Sequence, residues 1–225
     1  MNTVKTPQKD GFRAHALARY GLFTAIILIL GLTPLGFITL PIASITMVHI
    51  PVIIGGQQFG SRGGMLLGFF FGLTSLIRMF ITPTAVGAVV LGTYTGFGAL
   101  NVALILLVTF LPRVLTGLFA ALSFKLCCRF DKTRIAAYGI SSFIGSMTNT
   151  VFFLGGLYVL AFEQTAQAFG VAGEGLMAAL FGIVSLNGLL EAAVAVVLCT
   201  AVGKAMQAAA RRGKNTNIQS KERQQ

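Results

Sequence analysis

The sequence predicts an all-α membrane protein of six transmembrane helices, and three observations carry that prediction. Charged residues are scarce, 10% of 225 against 55% hydrophobic, with a mean hydropathy of +0.83. A soluble domain carries about 25% charged residues. Apolar runs recur at lengths near the roughly 20 residues that a helix needs to cross the hydrocarbon core. Lys and Arg, finally, collect on one side of the resulting topology.

Taken in order, residues 1–14 are polar and basic and read as an N-terminal tail. The membrane domain covers 15–206, with spans at 15–32, 43–60, 63–80, 99–128, 134–162 and 174–206. The last three exceed the minimum length and are expected to tilt or protrude. Residues 207–225 read as a short basic tail whose composition predicts disorder. Between the first two spans, Pro34, Gly36 and Pro41 break the helix, because proline lacks an amide donor and glycine is conformationally permissive. This connection carries no charge, whereas a solvent loop would be polar. It is expected to fold back over the protein as a lid. The uncharged 81–98 connection, rich in Gly and Thr and carrying Tyr94, reads as a second lid element.

Six spans put both termini on one side of the membrane. Every Lys and Arg except Arg78 and Arg113 falls on that side, so the positive-inside rule predicts cytoplasmic termini in a plasma-membrane protein. The same distribution explains the formal charge of +11 without nucleic acid, since no aromatic-interleaved basic patch is present. No A-x-A-like site follows the first apolar run, so a cleaved leader is not expected. Cys127, Cys128 and Cys199 lack C-x-x-C spacing and a nearby histidine. They read as reduced packing residues, and neither a metal nor a cofactor is expected. No internal repeat is visible, which argues against the inverted-repeat carriers.

Two ladders of small residues predict close helix packing. Gly60, Gly64, Gly68 and Gly72 run down the third span, and Ala14, Ala18, Gly21 and Ala25 run down the first. Small residues at this spacing let backbones approach, the main source of packing in lipid. The glycine ladder suits contacts inside the protein. The first-helix stripe, on a terminal helix, is open to a partner.

Polar side chains inside spans cost roughly 2.5–3.5 kcal/mol for a central charge, so each asks for a reason. Thr109, Arg113 and Thr116 share one helix face, as do Asn187 and Glu191, and Ser142, Ser146 and Asn149. Three helices thus turn polar stripes toward a common interior. The candidate ligand-binding residues are His49, Arg78, Tyr94, Asn101, Arg113, Thr148, Asn149, Asn187 and Glu191. A structural Arg113–Glu191 ion pair is the plainer account of those two, packing or hydrogen bonding that of His49, and snorkelling to the headgroups that of Arg78. No phosphate loop, H-E-x-x-H, G-x-S-x-G or close carboxylate pair occurs, so neither ATP hydrolysis nor another enzymatic activity is expected of this chain.

The TPLGFITLP connection, IPVIIGG, GGMLLGFFFGLTSL, LPRVLTGL and GSMTNTVFFLGGLY carry a resemblance that spans nearly the whole chain, roughly residues 14–205. In these motifs the chain resembles the substrate-binding S subunits of energy-coupling factor transporters, and among them the pantothenate type. The resemblance implies a vitamin pocket near the outer face, formed by the first connection and the later helices. It implies partners too: a membrane scaffold (T) subunit and two cytoplasmic ATPases, with the S subunit toppling to release its vitamin inside. The family's A-x-x-x-A stripe is matched by Ala14 and Ala18, extended by Gly21 and Ala25, and implies a scaffold contact. Pantothenate carries a carboxylate, for which an arginine fork is the expected receptor. Other readings are an S subunit for riboflavin or hydroxymethylpyrimidine, an autonomous proton-coupled carrier switching on Glu191 and Arg113, and a purely structural subunit.

Overall fold

Apolar runs without internal breakers become long helices here, and the chain turns where a residue cannot continue one. The computed structural model describes residues 9–39, 44–82, 84–93, 96 and 98–222. Over these the protein is an all-α membrane protein. Four helices are long and apolar enough to cross a bilayer: His49–Ile81, Ala99–Cys127, Ile135–Leu160 and Gly175–Ala210. A shorter apolar stretch, Ala16–Leu32, lies within α1 (Lys9–Leu32), which begins inside the expected 1–14 tail.

Helix α2 (His49–Ile81) reverses at Gly60, whose φ of 76° and ψ of −172° suit a residue without a side chain. A Cβ on Gly64 would lie 3.0 Å from the Cα of Gly56. Eight residues apart in a straight helix, those positions would be separated by about 12 Å. The limbs 49–59 and 61–81 therefore run antiparallel, and the break expected between 60 and 63 falls at this glycine. The start expected at 43 is corrected. Residues Ser44–Thr46 form a strand, and the helix begins at His49, with Pro51 in the first turn where its missing amide costs nothing. At about 1.5 Å per residue the first limb is roughly 16 Å long, about half the hydrocarbon core.

The first connection holds a 3₁₀ turn, Pro34–Gly36, and an antiparallel hairpin of β1 (Phe37–Thr39) and β2 (Ser44–Thr46), with Phe37 opposite Thr46. The Met47 amide donates to the Gly36 carbonyl at 2.8 Å and closes the hairpin's base. Residues 40–43 of the expected lid lie outside the described residues. The 81–98 connection contains a short helix, α3 (Ala85–Leu91), started by the Thr84 hydroxyl accepting from the Gly87 amide.

The remaining spans are composite. Helix α4 (Ala99–Leu104) passes through a π-helical turn, Ile105–Phe110, into α5 (Leu111–Cys127). Then come α6 (Ile135–Leu160) and α7 (Phe162–Phe169), an element the sequence did not suggest. Last is α8 (Gly173–Ile183), joined by a π turn, Val184–Gly188, to α9 (Leu189–Glu222). The disorder expected after 207 is corrected, because α9 runs on to Glu222. Residues 205–212, with four alanines and two arginines, are strong helix formers and simply continue the span.

At the α5–α6 turn, Asp131 Oδ1 accepts from the Thr133 hydroxyl and amide, and Oδ2 accepts from the Ala137 amide at 3.0 Å. The Thr133 hydroxyl and these amides hold its carboxyl down at about 2.

Of the expected glycine ladder, Gly64, Gly68 and Gly72 pack inside the protein, whereas Gly60 makes the reversal and a Cβ there would meet nothing within 4 Å. A Cβ on Gly64 would strike the Gly117 carbonyl, one on Gly117 the Gly64 carbonyl, and one on Gly68 the Arg113 carbonyl. A Cβ on Gly56 would sit 2.6 Å from the Gly117 oxygen. Both limbs of α2 therefore lie backbone to backbone against α5. A second seam joins the first limb to α6, where Gln57 Nε2 donates to Ser141 Oγ at 2.9 Å and Ser142 Oγ at 3.0 Å.

Candidate functional site

Pro112 is the root of the site. It offers no amide to Val108 four residues back, and the ladder shifts to a π turn in which the Leu111 amide bonds to the Leu106 carbonyl. The freed Val108 carbonyl accepts from Arg113 Nη1 at 2.9 Å. Gly68 supports the arginine's backbone from behind. The guanidinium then lies 4.4 Å from the Phe153 ring centroid and 5.6 Å from that of Phe71, within cation–π reach. Arg113 is 7% exposed, and its Nε is buried with no partner.

That arginine lines a cavity of about 480 Å³ shared with Thr46, Ser75, Arg78, Asn149, Asn187 and Glu191. The volume falls in the range of small-molecule sites, about 300–1,000 Å³. Asn149 enters from α6, buried, with Oδ1 unpartnered. Asn187 comes from the second π turn and Glu191 from the start of α9. Arg78 Nη1 donates weakly to the Thr33 carbonyl, at 3.4 Å. Among the described residues no ion pair joins Arg113 to Glu191. Instead Glu191 Oε1 accepts from the Thr46 amide at 2.6 Å.

Five of the nine sequence candidates thus meet at one cavity: Arg78, Arg113, Asn149, Asn187 and Glu191. Three do not line it. His49 is fully buried one turn deeper and contacts Ser146 Oγ through Nε2 at 3.3 Å. Asn101 is a helix cap, its Oδ1 accepting from the Gly98 amide and its Nδ2 donating to Val90. The Thr148 hydroxyl donates to the Ile144 carbonyl of its own helix. Tyr94 lies outside the described residues.

Sequence reasoning missed Phe71, Ser75 and Phe153. The signal was there, since 71, 75 and 78 share a face, and Phe153 follows Asn149 by one turn. Thr46 carried no such signal. An aromatic-flanked arginine, unpartnered donor and acceptor atoms and a second cation suit a small anion bearing an amide or hydroxyl. Fold and site together define a membrane protein with a polar-lined cavity of small-molecule size.

The chain belongs to the family of ECF transporter substrate-specific components, whose family model matches residues 15–203. It is 32% identical over 170 residues to the pantothenic acid transporter PanT of Lactococcus lactis subsp. cremoris, covering 72% of this chain and 76% of that protein. It is 28% identical over 194 residues to the pantothenate transporter PanT of Leuconostoc mesenteroides subsp. mesenteroides, covering 82% and 88%.

Proposed function

We propose that this protein is the pantothenate-binding subunit of an ATP-driven, ECF-type importer in the plasma membrane. The observation that carries this reading is the buried Arg113, with Nε unpartnered, on one cavity with the unpartnered Asn149 Oδ1. Pantothenate has a carboxylate for the guanidinium, and an amide N–H and hydroxyls for the asparagine carbonyl. A buried anion requires such a partner. Arg78 and Asn187 supply further donors, and both similar transporters are named for this vitamin.

In this reading the chain crosses the bilayer six times: α1, the two limbs of α2, Ala99–Cys127, Ile135–Leu160 and Gly175–Ala210. Both termini are cytoplasmic. The stripe of Ala14, Ala18, Gly21 and Ala25 meets the scaffold subunit. Ala18, Gly21 and Ala25 are exposed while Phe23 and Ile27 face the core, and a Cβ on Gly21 would meet nothing within 4 Å. Two ATPase subunits complete the importer, as this chain has no phosphate loop.

Calorimetry of the purified chain against water-soluble vitamins tests the ligand, and vesicle uptake with and without the scaffold and ATPases tests the coupling. Pantothenate alone should bind tightly, and accumulation should require all subunits and ATP. Preferential binding of a neutral vitamin, or accumulation by the chain alone, would overturn the reading.

A further inference from the structure

Glu191 is the one cavity carboxylate, among the described residues, beside two arginines, and its role differs from theirs. Its Oε1 accepts from the Thr46 amide at 2.6 Å, the short distance of a charge-assisted bond, across 145 residues of chain. Thr46 ends β2 opposite Phe37, and both Thr46 and Glu191 line the cavity. The end of β2 is therefore part of the cavity wall, and this bond ties it to α9. A carboxylate here would repel an anionic ligand.

We propose that Glu191 is a positioning residue, a latch that holds the end of strand β2 against the cavity and sets how fast a bound ligand leaves. It acts through the Thr46 amide and does not grip the ligand. The proposal rests on the cavity being the ligand site, not on which vitamin fills it. Opening requires the bond to break. Whatever moves that strand end away from α9 then releases the contents.

Two measurements on the full chain in lipid nanodiscs separate this inference from the vitamin assignment. Hydrogen–deuterium exchange at the Thr46 amide needs no ligand. Glu191→Ala and Glu191→Met should speed it roughly ten- to hundredfold, the loss expected for a hydrogen bond to a charged group. Glu191→Gln keeps an acceptor oxygen and should stay much closer to the parent. Radiolabelled pantothenate should dissociate faster from the alanine and methionine variants with little change in association, and Glu191→Gln should restore slow release.

Equal Thr46 exchange in all four proteins, or a glutamine variant as fast as methionine, would overturn the latch. Faster exchange throughout α5 would mark a misfolded variant, and the glutamine protein then decides, with fast exchange at Thr46 overturning the latch. If the parent binds no pantothenate while exchange follows the expected order, the vitamin reading fails and the latch stands.

Discussion

The two faces of α5 solve opposite problems. On one, Gly117 and the Arg113 carbonyl meet Gly56, Gly64 and Gly68 so closely that no Cβ fits between them. On the other, the Arg113 side chain enters a cavity with a nitrogen left unpartnered. The dry face needs no hydrogen-bond partners beyond its own helices, and its precision comes from backbone contact. The open face keeps donor capacity because the tight face fixes how far the arginine reaches. Immobility behind the residue allows incompleteness in front of it.

Filling the tight face gives the largest expected effect. Gly117→Leu places four carbons where one already strikes the Gly64 carbonyl. Overpacking costs roughly 1–3 kcal/mol where neighbours can yield, and backbone on both sides cannot. Loss of monodisperse protein in size-exclusion chromatography is expected. A normally folded Gly117→Leu would show that the backbones of this seam can yield.

Next comes the open face. Arg113→Gln should weaken pantothenate binding by about 1.5–3 kcal/mol in calorimetry, as for a charge-assisted bond, while the protein stays folded. The alcohol analogue of pantothenate should lose a similar amount on the parent and much less on the variant. Arg78→Gln should cost less, because Arg78 is only partly buried and water screens its charge more than that of Arg113. A reversed order would make Arg78 the anion receptor.

A smaller effect is expected outside both faces. Ala18→Trp, on the exposed side of α1, should lower uptake by the reconstituted complex severalfold and leave affinity for the isolated chain unchanged. Loss of affinity with assembly intact would move that stripe into the binding site.

The smallest effect concerns Asp131, whose capping serves neither face. Its folded pKa, about 2, lies below the ordinary 3.8, so the carboxylate stabilises the fold above pH 4. That stabilisation fades as pH falls through about 2. Asp131→Ala should therefore lower Tm modestly at pH 7, and the difference should shrink on acidification. A pH-independent difference would mean that the charge is not what caps α6.

Much of this protein was legible in its sequence because lipid forces each span to satisfy its backbone locally. Helical periodicity therefore put Arg113, Asn149, Asn187 and Glu191 on inward faces, and LPR located both the helix defect and the arginine that answers it. Periodicity states which residues share a face of one helix. It says nothing of what that face meets.

Only the tertiary structure decided that Asn149 lines the cavity while His49, one turn deeper against Ser146, does not. It also placed Glu191 on the Thr46 amide instead of on Arg113, a contact made by a residue inside an expected helix that proved to be a strand. The relative depth and rotation of the helices set those partners, and close glycine contacts and the Gly60 reversal set both. Such contacts join residues far apart in the chain, where no local pattern records them.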